Sequence, residues 1–354
     1  MKKNRVLITL IIISFLLIIF TYNNDFLYKN TIMKITTIEL LNEDISSNSL
    51  GLEEKHYTKK ITGVITNGEK KGKIINIEYE ETFSSIVTDK YKVNDKVFIK
   101  SGNIDELKRD VYVISLICIF IIAIYLVGNY RGLLAVVSVV LNSFIFYMGL
   151  NLYFKGINLT LLCLLESILF TIISLYIASG KGKKTMSAII SVFISLLIIF
   201  IMTLIISLTT NYSGISFNEM NYLTVPVTDV LLAELVIGGL GAIMDVSITM
   251  SSSISELIEK DKNISKKSLI NSGREIGKDI MSTMINVLFF TYLCSGLPLF
   301  VLSIRNGFSI YNFVSTSFSI ELSRFLIGSI GIIITIPISL FVSMKIFKRG
   351  DINE

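Results

Sequence analysis

The chain has 354 residues, of which 52% are hydrophobic and only 17% are charged, and its mean hydropathy is +0.67. This composition is not typical of a soluble globular protein. The net charge of +5 does not indicate nucleic-acid binding, because the lysines flank apolar segments, where they orient helices in a bilayer. A single histidine, His56, excludes His-rich metal clusters and Ser-His-Asp catalysis. The three cysteines, Cys118, Cys163 and Cys294, all lie in apolar segments, so neither a disulfide framework nor a zinc site is expected.

The N-terminus combines a basic pentapeptide, residues 1–5, with an apolar run over residues 6–20. Such a start is typical of a cleaved signal peptide or of an uncleaved anchor. Residues 21–25 contain no small-x-small cleavage site, so residues 1–20 are predicted to be a membrane anchor.

Residues 21–110 interrupt the apolar pattern and are predicted to form an extracytoplasmic domain, mainly β from about residue 57. Turn dipeptides such as Asn67-Gly68 separate short β-branched runs. These runs cover residues 60–65, 72–79, 86–90 and 96–99. We expect a small antiparallel fold, preceded by an irregular, acidic segment over residues 39–56.

From residue 111 onward the chain is almost continuously apolar, and about 20 apolar residues suffice for a helix to cross a bilayer. Spans are predicted at residues 111–128, 132–151, 157–179, 185–208, 227–250, 279–302 and 321–347. They form a seven-helix membrane domain over residues 111–350. With the anchor, the fold class is an α-helical polytopic membrane protein of about eight transmembrane helices carrying a small extracytoplasmic β domain.

Basic residues in the short loops predict the orientation. The loops on the N-terminal side hold Arg131, Lys181, Lys183, Lys184 and six basic residues between residues 260 and 278, whereas the opposite short loops hold only Lys155 and Arg305. The positive-inside rule then places both termini in the cytoplasm and residues 21–110 outside the cell membrane.

Carboxylates within the predicted spans mark candidate sites, because ionisable groups are costly inside a bilayer. Glu166 lies near the middle of its helix. Glu234 and Asp245 are eleven residues apart, which at about 100° per residue returns almost to the same helix face. Gly238 and Gly241 lie between them on that face. The stripe is either part of a cation or proton path or a close-packing helix surface.

The next predicted helix also carries polar residues on one face. Asp279 and Asn286 are seven residues apart, with Ser282 and Thr283 beside them. Arg274 precedes them and is a candidate partner for a carboxylate of the sixth helix. The two helices are therefore predicted to form a hairpin whose inner faces are polar.

Other patterns favour neither an enzyme nor a bound cofactor. His-Glu-x-x-His and Gly-x-Gly-Asp motifs do not occur, and residues 180–185 read as a basic turn rather than a phosphate-binding loop. Near the outer end of the last helix, Glu321 and Arg324 are predicted to form a local pair rather than a site.

Residues 239–248, then 251–257 and 273–286, resemble the signature of the YibE/F family of multi-pass bacterial membrane proteins. The anchor, the outer domain and the following helices resemble the family's single-chain form. In the outer domain Lys71-Gly72-Lys73 matches the family pattern, whereas Asn94 stands where a glycine is usual. The resemblance implies the architecture and draws attention to the same Gly/Asp helix. It supplies no established activity and no substrate.

Three functions follow from these patterns. The first is permease-like secondary transport of a small solute or ion, with Glu234 and Asp245 in the path and Asp279, Asn286 and Glu166 supporting them. The alternative is an accessory membrane protein whose outer β domain binds an envelope partner. A third reading, an intramembrane hydrolase, needs two carboxylates near one water, whereas helical rise separates Glu234 from Asp245 by about 16 Å.

Overall fold

The computed structural model describes residues 2–47, 53–85, 88–210, 215–217 and 226–348. The chain divides into two compact units, Met1–Leu133 and Leu134–Glu354.

The first unit combines an apolar helix with a sheet of five antiparallel strands. Its elements are α1 (Lys2–Asn23), a 3-10 turn (Asn24–Leu27), β1 (Thr31–Ser47), β2 (Glu53–Ile65), β3 (Ile74–Thr82), β4 (Lys96–Lys100), β5 (Asn103–Leu107) and the start of α2 (Asp110–Phe154). The strand order is β3-β2-β1-β4-β5. Gly68 and Gly72 both have positive φ in the β2–β3 turn, a conformation that glycine adopts without strain.

The sheet starts earlier than the sequence predicts. Residues 39–47 and 53–56 belong to β1 and β2 and are paired with each other, so the prediction of an irregular segment there is wrong for the described residues. Cross-strand pairs such as Glu43 with Lys55 stabilise this acidic stretch as strand. Residues 88–90 are not strand, residues 86 and 87 lie outside the described residues, and β5 was not predicted.

Asn129 interrupts α2, with φ 50° and ψ −133°. A Cβ atom added to Gly132 would lie 2.5 Å from the carbonyl oxygen of Ile124. In a straight helix those residues would be roughly 12 Å apart along the axis, so the chain turns back sharply here. The predicted spans 111–128 and 132–151 lie on either side of this turn.

The second unit contains the rest of α2 and seven further helices. They are α3 (Leu159–Ser179), α4 (Lys183–Thr210), α5 (Val227–Gly238), α6 (Leu240–Lys260), α7 (Lys266–Arg305), α8 (Ile310–Thr316) and α9 (Ser319–Lys348). With α5 and α6 taken together, the described residues contain seven helices long and apolar enough to cross a membrane. α2 counts once among these seven, although Asn129 divides it into two parts that correspond to two of the eight predicted spans.

The core of this unit is the packing of α4, α6 and α9. Small hydroxyl side chains lie at the contacts: Ser247 accepts a hydrogen bond from Ser339 at 3.3 Å, and Ser251 donates to the carbonyl of Lys184 at 2.8 Å. Small residues allow apolar helices to approach closely, and their hydroxyls bond across the interface. Ser247 and Ser251, which follow Asp245 on α6, therefore contribute to helix packing.

Candidate functional site

The glycines between Glu234 and Asp245 have three different surroundings. Helix α5 ends at Gly238 and α6 begins at Leu240, so the span is broken at Gly239. A Cβ added to Gly239 would lie 3.5 Å from the Cα of Gly328 on α9, and one added to Gly238 would lie 2.5 Å from the hydroxyl of Tyr292 on α7. These two glycines allow close packing. An added Cβ on Gly241 would meet no described atom within 4 Å.

Arg324 of α9 joins two carboxylates from different parts of the chain. Its guanidinium forms a close ion pair with Glu234 of α5, and its Nη1 donates to Oε1 of Glu321 at 2.8 Å. The side chains of Arg324 and Glu321 are each only 16% exposed. The predicted local pair thus exists but extends to Glu234, and the three groups carry a formal net charge of −1. Sequence analysis missed this link.

The cluster contains buried polar atoms that have no hydrogen-bond partner among the described residues. Oε2 of Glu321 and Nε of Arg324 are buried without a hydrogen-bond partner among the described residues. Buried polar atoms in folded proteins are normally paired with protein or water. The cluster therefore has hydrogen-bonding capacity left for an ion or for water.

A cavity of about 380 Å³ adjoins this cluster. Glu234, Arg324 and Tyr292 supply its polar lining, and the remaining wall is mostly apolar, including Leu150 and Cys163. A mostly apolar cavity with a few convergent polar groups is typical of a binding site.

Glu166 of α3 lies on the same side of its helix as Cys163, one turn away. It is 6% exposed, and its Oε1 has no hydrogen-bond partner among the described residues. It packs directly against Gly149 of α2, where an added Cβ would collide with its carboxyl oxygen. The bare backbone at Gly149 therefore provides the space for this carboxyl group.

Asp245 faces away from the packed core. Asp245 and Gly241 are exposed, whereas Val246, Met250 and Ile254 form the buried stripe of α6. The carboxylate has no hydrogen bond or ion pair among the described residues. Glu234 and Asp245 thus differ, because Glu234 is ion-paired with Arg324 beside the cavity and Asp245 is exposed.

The polar residues of α7 are also exposed. Asp279, Ser282, Thr283 and Asn286 are all exposed, and the amide of Asn286 donates only to the carbonyl of Ser282 on its own helix. The contact between α6 and α7 is apolar, for example where Ile254 lies against Gly273. The predicted polar inner face of the hairpin is therefore wrong, because the buried stripes of both helices are apolar.

The two open faces nevertheless lie at the same level. Ile254 lies near Gly273 at one end of the antiparallel hairpin, and Gly238 lies near Tyr292 at the other. Counting inward from these contacts places Gly241 and Asp245 of α6 beside residues 282–289 of α7. Asp245, Ser282 and Asn286 thus lie at a similar depth on exposed faces of α6 and α7, and we call these residues the outward-facing polar zone.

Arg274 does not join this zone. It lines a separate groove of about 460 Å³ between α7 and α9, with Met281, Ile336 and Leu340. No ion pair of Arg274 with Asp245 or Asp279 occurs in the structure, so that expectation is wrong. The α7 side chain at position 274 points to the α9 side of the hairpin. Across the described residues, no group of three or more His, Cys, Asp or Glu side chains could hold a metal ion.

Two family models match the chain. The YibE/F-like protein model covers residues 116–349, and the YibE/F family N-terminal domain covers residues 26–114. No curated protein and no solved structure matches. The chain belongs to the YibE/F family, as the resemblance in its sequence indicated.

Proposed function

We propose that this YibE/F family member spans the cell membrane and carries out permease-like secondary transport of a small cation or of protons. The observation that carries the proposal is the Glu234–Arg324–Glu321 cluster beside the 380 Å³ cavity. Ionisable residues inside a membrane are costly and mark ion and proton pathways. Both termini would lie in the cytoplasm, as the loop charges indicate.

The charges of the cluster favour a cation over an anion. Two carboxylates share one guanidinium, so one negative charge is left uncompensated. A proton or small cation that binds Glu234 would neutralise it and weaken its hold on Arg324. Arg324 would then remain bound to Glu321 alone. Binding and release would thereby change the contact between α5 and α9.

The interruption at Gly239 would allow α5 to move when its contact with α9 changes. Gly239 keeps αR backbone angles (φ −89°, ψ −13°), so the interruption is a local kink rather than an unwound segment. A kink at a pair of glycines lets the two parts of a helix tilt separately more easily than one regular helix would. Motion of α5 on loss of the Arg324 pair would open the cavity towards Gly241.

Beyond Gly241, the outward-facing polar zone continues the path. In a bilayer, Asp245, Asp279 and Asn286 would contact water or protein rather than lipid, because unsatisfied polar groups in hydrocarbon cost several kcal/mol, of the order of 2–7 each. We propose that this zone is hydrated and leads the cation to the end of α6. Glu166 lies one turn from Cys163 of the cavity wall but does not itself line the cavity, so we assign it a supporting role.

Purified protein in liposomes tests the proposal. Fluxes of H⁺, Na⁺ and K⁺ are measured with fluorescent reporters against protein-free liposomes, for the wild type, Asp245→Asn and Asp261→Asn. Asp261 follows α6 and is the matched control. We expect a flux of at least one cation in the wild type, a strong loss in Asp245→Asn and no loss in Asp261→Asn. Equal fluxes in protein-free and wild-type liposomes would contradict the proposal.

The accessory-protein alternative also has an observation in its favour, because the β domain has an exposed strand edge. It requires no flux and no role for Glu234. A shortened chain that keeps α1 and the sheet but lacks the second unit would restore the wild-type phenotype of a deletion strain under the accessory proposal. It would fail to do so under transport.

A further inference from the structure

Strand β1 is much longer than the strand beside it. β4 pairs with β1 only from Thr31 to Lys34, and two further backbone bonds connect Ile35 with residues 94 and 95. β1 continues to Ser47, while β2 covers its other side along the whole length. Among the described residues, no strand pairs with the β4 side of residues 37–47. Every second residue of this stretch therefore presents backbone N–H and C=O groups outward.

The side chains along this edge protect it only in part. Natural edge strands are protected by charged side chains (especially lysine), proline, β-bulges, short length or a covering segment. Residues 37–47 contain neither lysine nor proline, and Leu40, Leu41 and Ile45 are each more than half exposed. One irregularity, at Leu41, adds local twist. The edge thus offers backbone bonds and apolar side chains together.

The sheet's terminal strand β3 is less available. Next to its end, the backbone N–H of Thr82 donates to the hydroxyl of Thr88, and the hydroxyl of Tyr79 donates to the carbonyl of Asp89. Residues 88–91 therefore cover part of that edge. The other terminal strand, β5, has only five residues. The longer open stretch of β1 is therefore the better acceptor for an added strand.

The acidic residues of this edge favour a basic partner. Residues 37–47 hold three acids, Glu39, Glu43 and Asp44, and no basic residue. Like charges on adjacent strands are destabilising, so this edge disfavours pairing with the same edge of a second copy. A strand with lysine or arginine at alternate positions would be attracted instead.

We propose that the β4 side of residues 37–47 is a docking site for an extended, basic segment of another protein, which adds to the sheet as a strand. Main-chain hydrogen bonds give affinity in this mode, and alternate side chains give specificity. Basic side chains of the partner would contact Glu39 and Asp44, and its apolar side chains would cover Leu40 and Ile45. This inference is independent of transport.

Peptide binding to the full-length protein in nanodiscs tests it. The probe is an 11-residue peptide of alternating lysine and valine, labelled for fluorescence anisotropy. Control peptides replace lysine by glutamate, or replace every second valine by proline, which cannot donate a backbone hydrogen bond. We expect only the lysine–valine peptide to bind, to bind more weakly at high salt, and to slow hydrogen exchange of amides within residues 37–47.

Charge-removal variants locate the site. Glu39→Gln/Asp44→Asn removes two charges without placing a lysine opposite Lys60, and it should weaken binding at least tenfold. The control Asp105→Asn/Glu106→Gln removes the same charge from exposed positions of β5 and should change binding less than threefold. Glu43 is left in place because it pairs with Lys55 at 3.0 Å. Equal binding of the proline peptide, or protection only outside residues 37–47, would overturn the proposal. Normal flux with these outcomes would leave the transport proposal standing.

Discussion

Lys108 is the most deeply buried charged side chain of the first unit, with 3% exposure. Its Nζ donates to the carbonyl of Thr21 at 3.1 Å, to Oδ1 of Asn24 at 2.7 Å and to Oδ1 of Asp25 at 2.8 Å. It therefore connects the end of β5 to the end of α1. Lys96 binds the other carboxylate oxygen of Asp25 at 2.7 Å.

Lys108→Met keeps the apolar stem and removes the ammonium group. Breaking a buried ion pair by deleting one partner costs about 3–5 kcal/mol. Asp25 would keep Lys96, which reduces the penalty, but the Thr21 carbonyl and the Asn24 amide would each lose a donor, at about 1–3 kcal/mol per orphaned group. Taken together, we expect a loss of about 3 kcal/mol, near the lower end of the pair estimate.

Hydrogen exchange of the full-length protein in detergent measures this loss locally. About 3 kcal/mol corresponds to a roughly 150-fold fall in protection of the amides of β1 and β4. Lys100→Met is the matched control, since Lys100 is exposed and also lies on β4. A fall of less than tenfold in Lys108→Met, or an equal fall in the control, would refute the reasoning.

Three further changes test other parts of the structure. Arg324→Met leaves Glu234 and Glu321 without their counter-charge and should lower stability in a melting assay by about 3–5 kcal/mol. Adding Glu234→Gln should restore part of that loss. A double variant no more stable than Arg324→Met alone would contradict the coupling. Gly277→Ala places a Cβ against Ile336 and should lower stability by about 1–3 kcal/mol. Gly241→Ala meets open space and should leave stability unchanged in the same melting assay. Burial raises the pKa of Tyr91 far above 10, so it stays neutral in the fold while unfolded chains ionise. The contribution of Tyr91 to stability should therefore be constant below pH 10 and fall above it; an equal fall in stability above pH 10 in the wild type and in Tyr91→Phe would argue against this.

The sequence predicted the apolar helices well, because hydrophobic length is a direct consequence of the bilayer. The turn at Asn129 was predicted only as a loop between two spans, since a single residue with positive φ leaves no composition signal. The first half of the sheet was misread because residues 39–56 are acidic and polar, and strand propensity depends strongly on the neighbouring strand. Their strand conformation comes from the pairing of β1 with β2, which the composition of either strand alone cannot show.

The candidate site was only half accessible to sequence reasoning. Helical periodicity placed Glu234, Gly241 and Asp245 on one face, but periodicity within one helix carries no information about which helix lies opposite. Arg324 is 90 residues from Glu234. A usable signal was present: an arginine inside an apolar helix requires compensation, and Glu321 alone leaves its remaining N–H donors unpaired.

Under the proposed function, Glu234 binds the transported cation in exchange for Arg324. Flux through reconstituted Glu234→Gln, compared with Glu256→Gln, tests it most directly, because Glu256 is an exposed carboxylate further along the same broken span. The amide keeps the shape of the side chain and removes its charge. We expect Glu234→Gln to lose cation flux while Glu256→Gln retains wild-type rates. Wild-type flux in a folded Glu234→Gln protein would contradict the account.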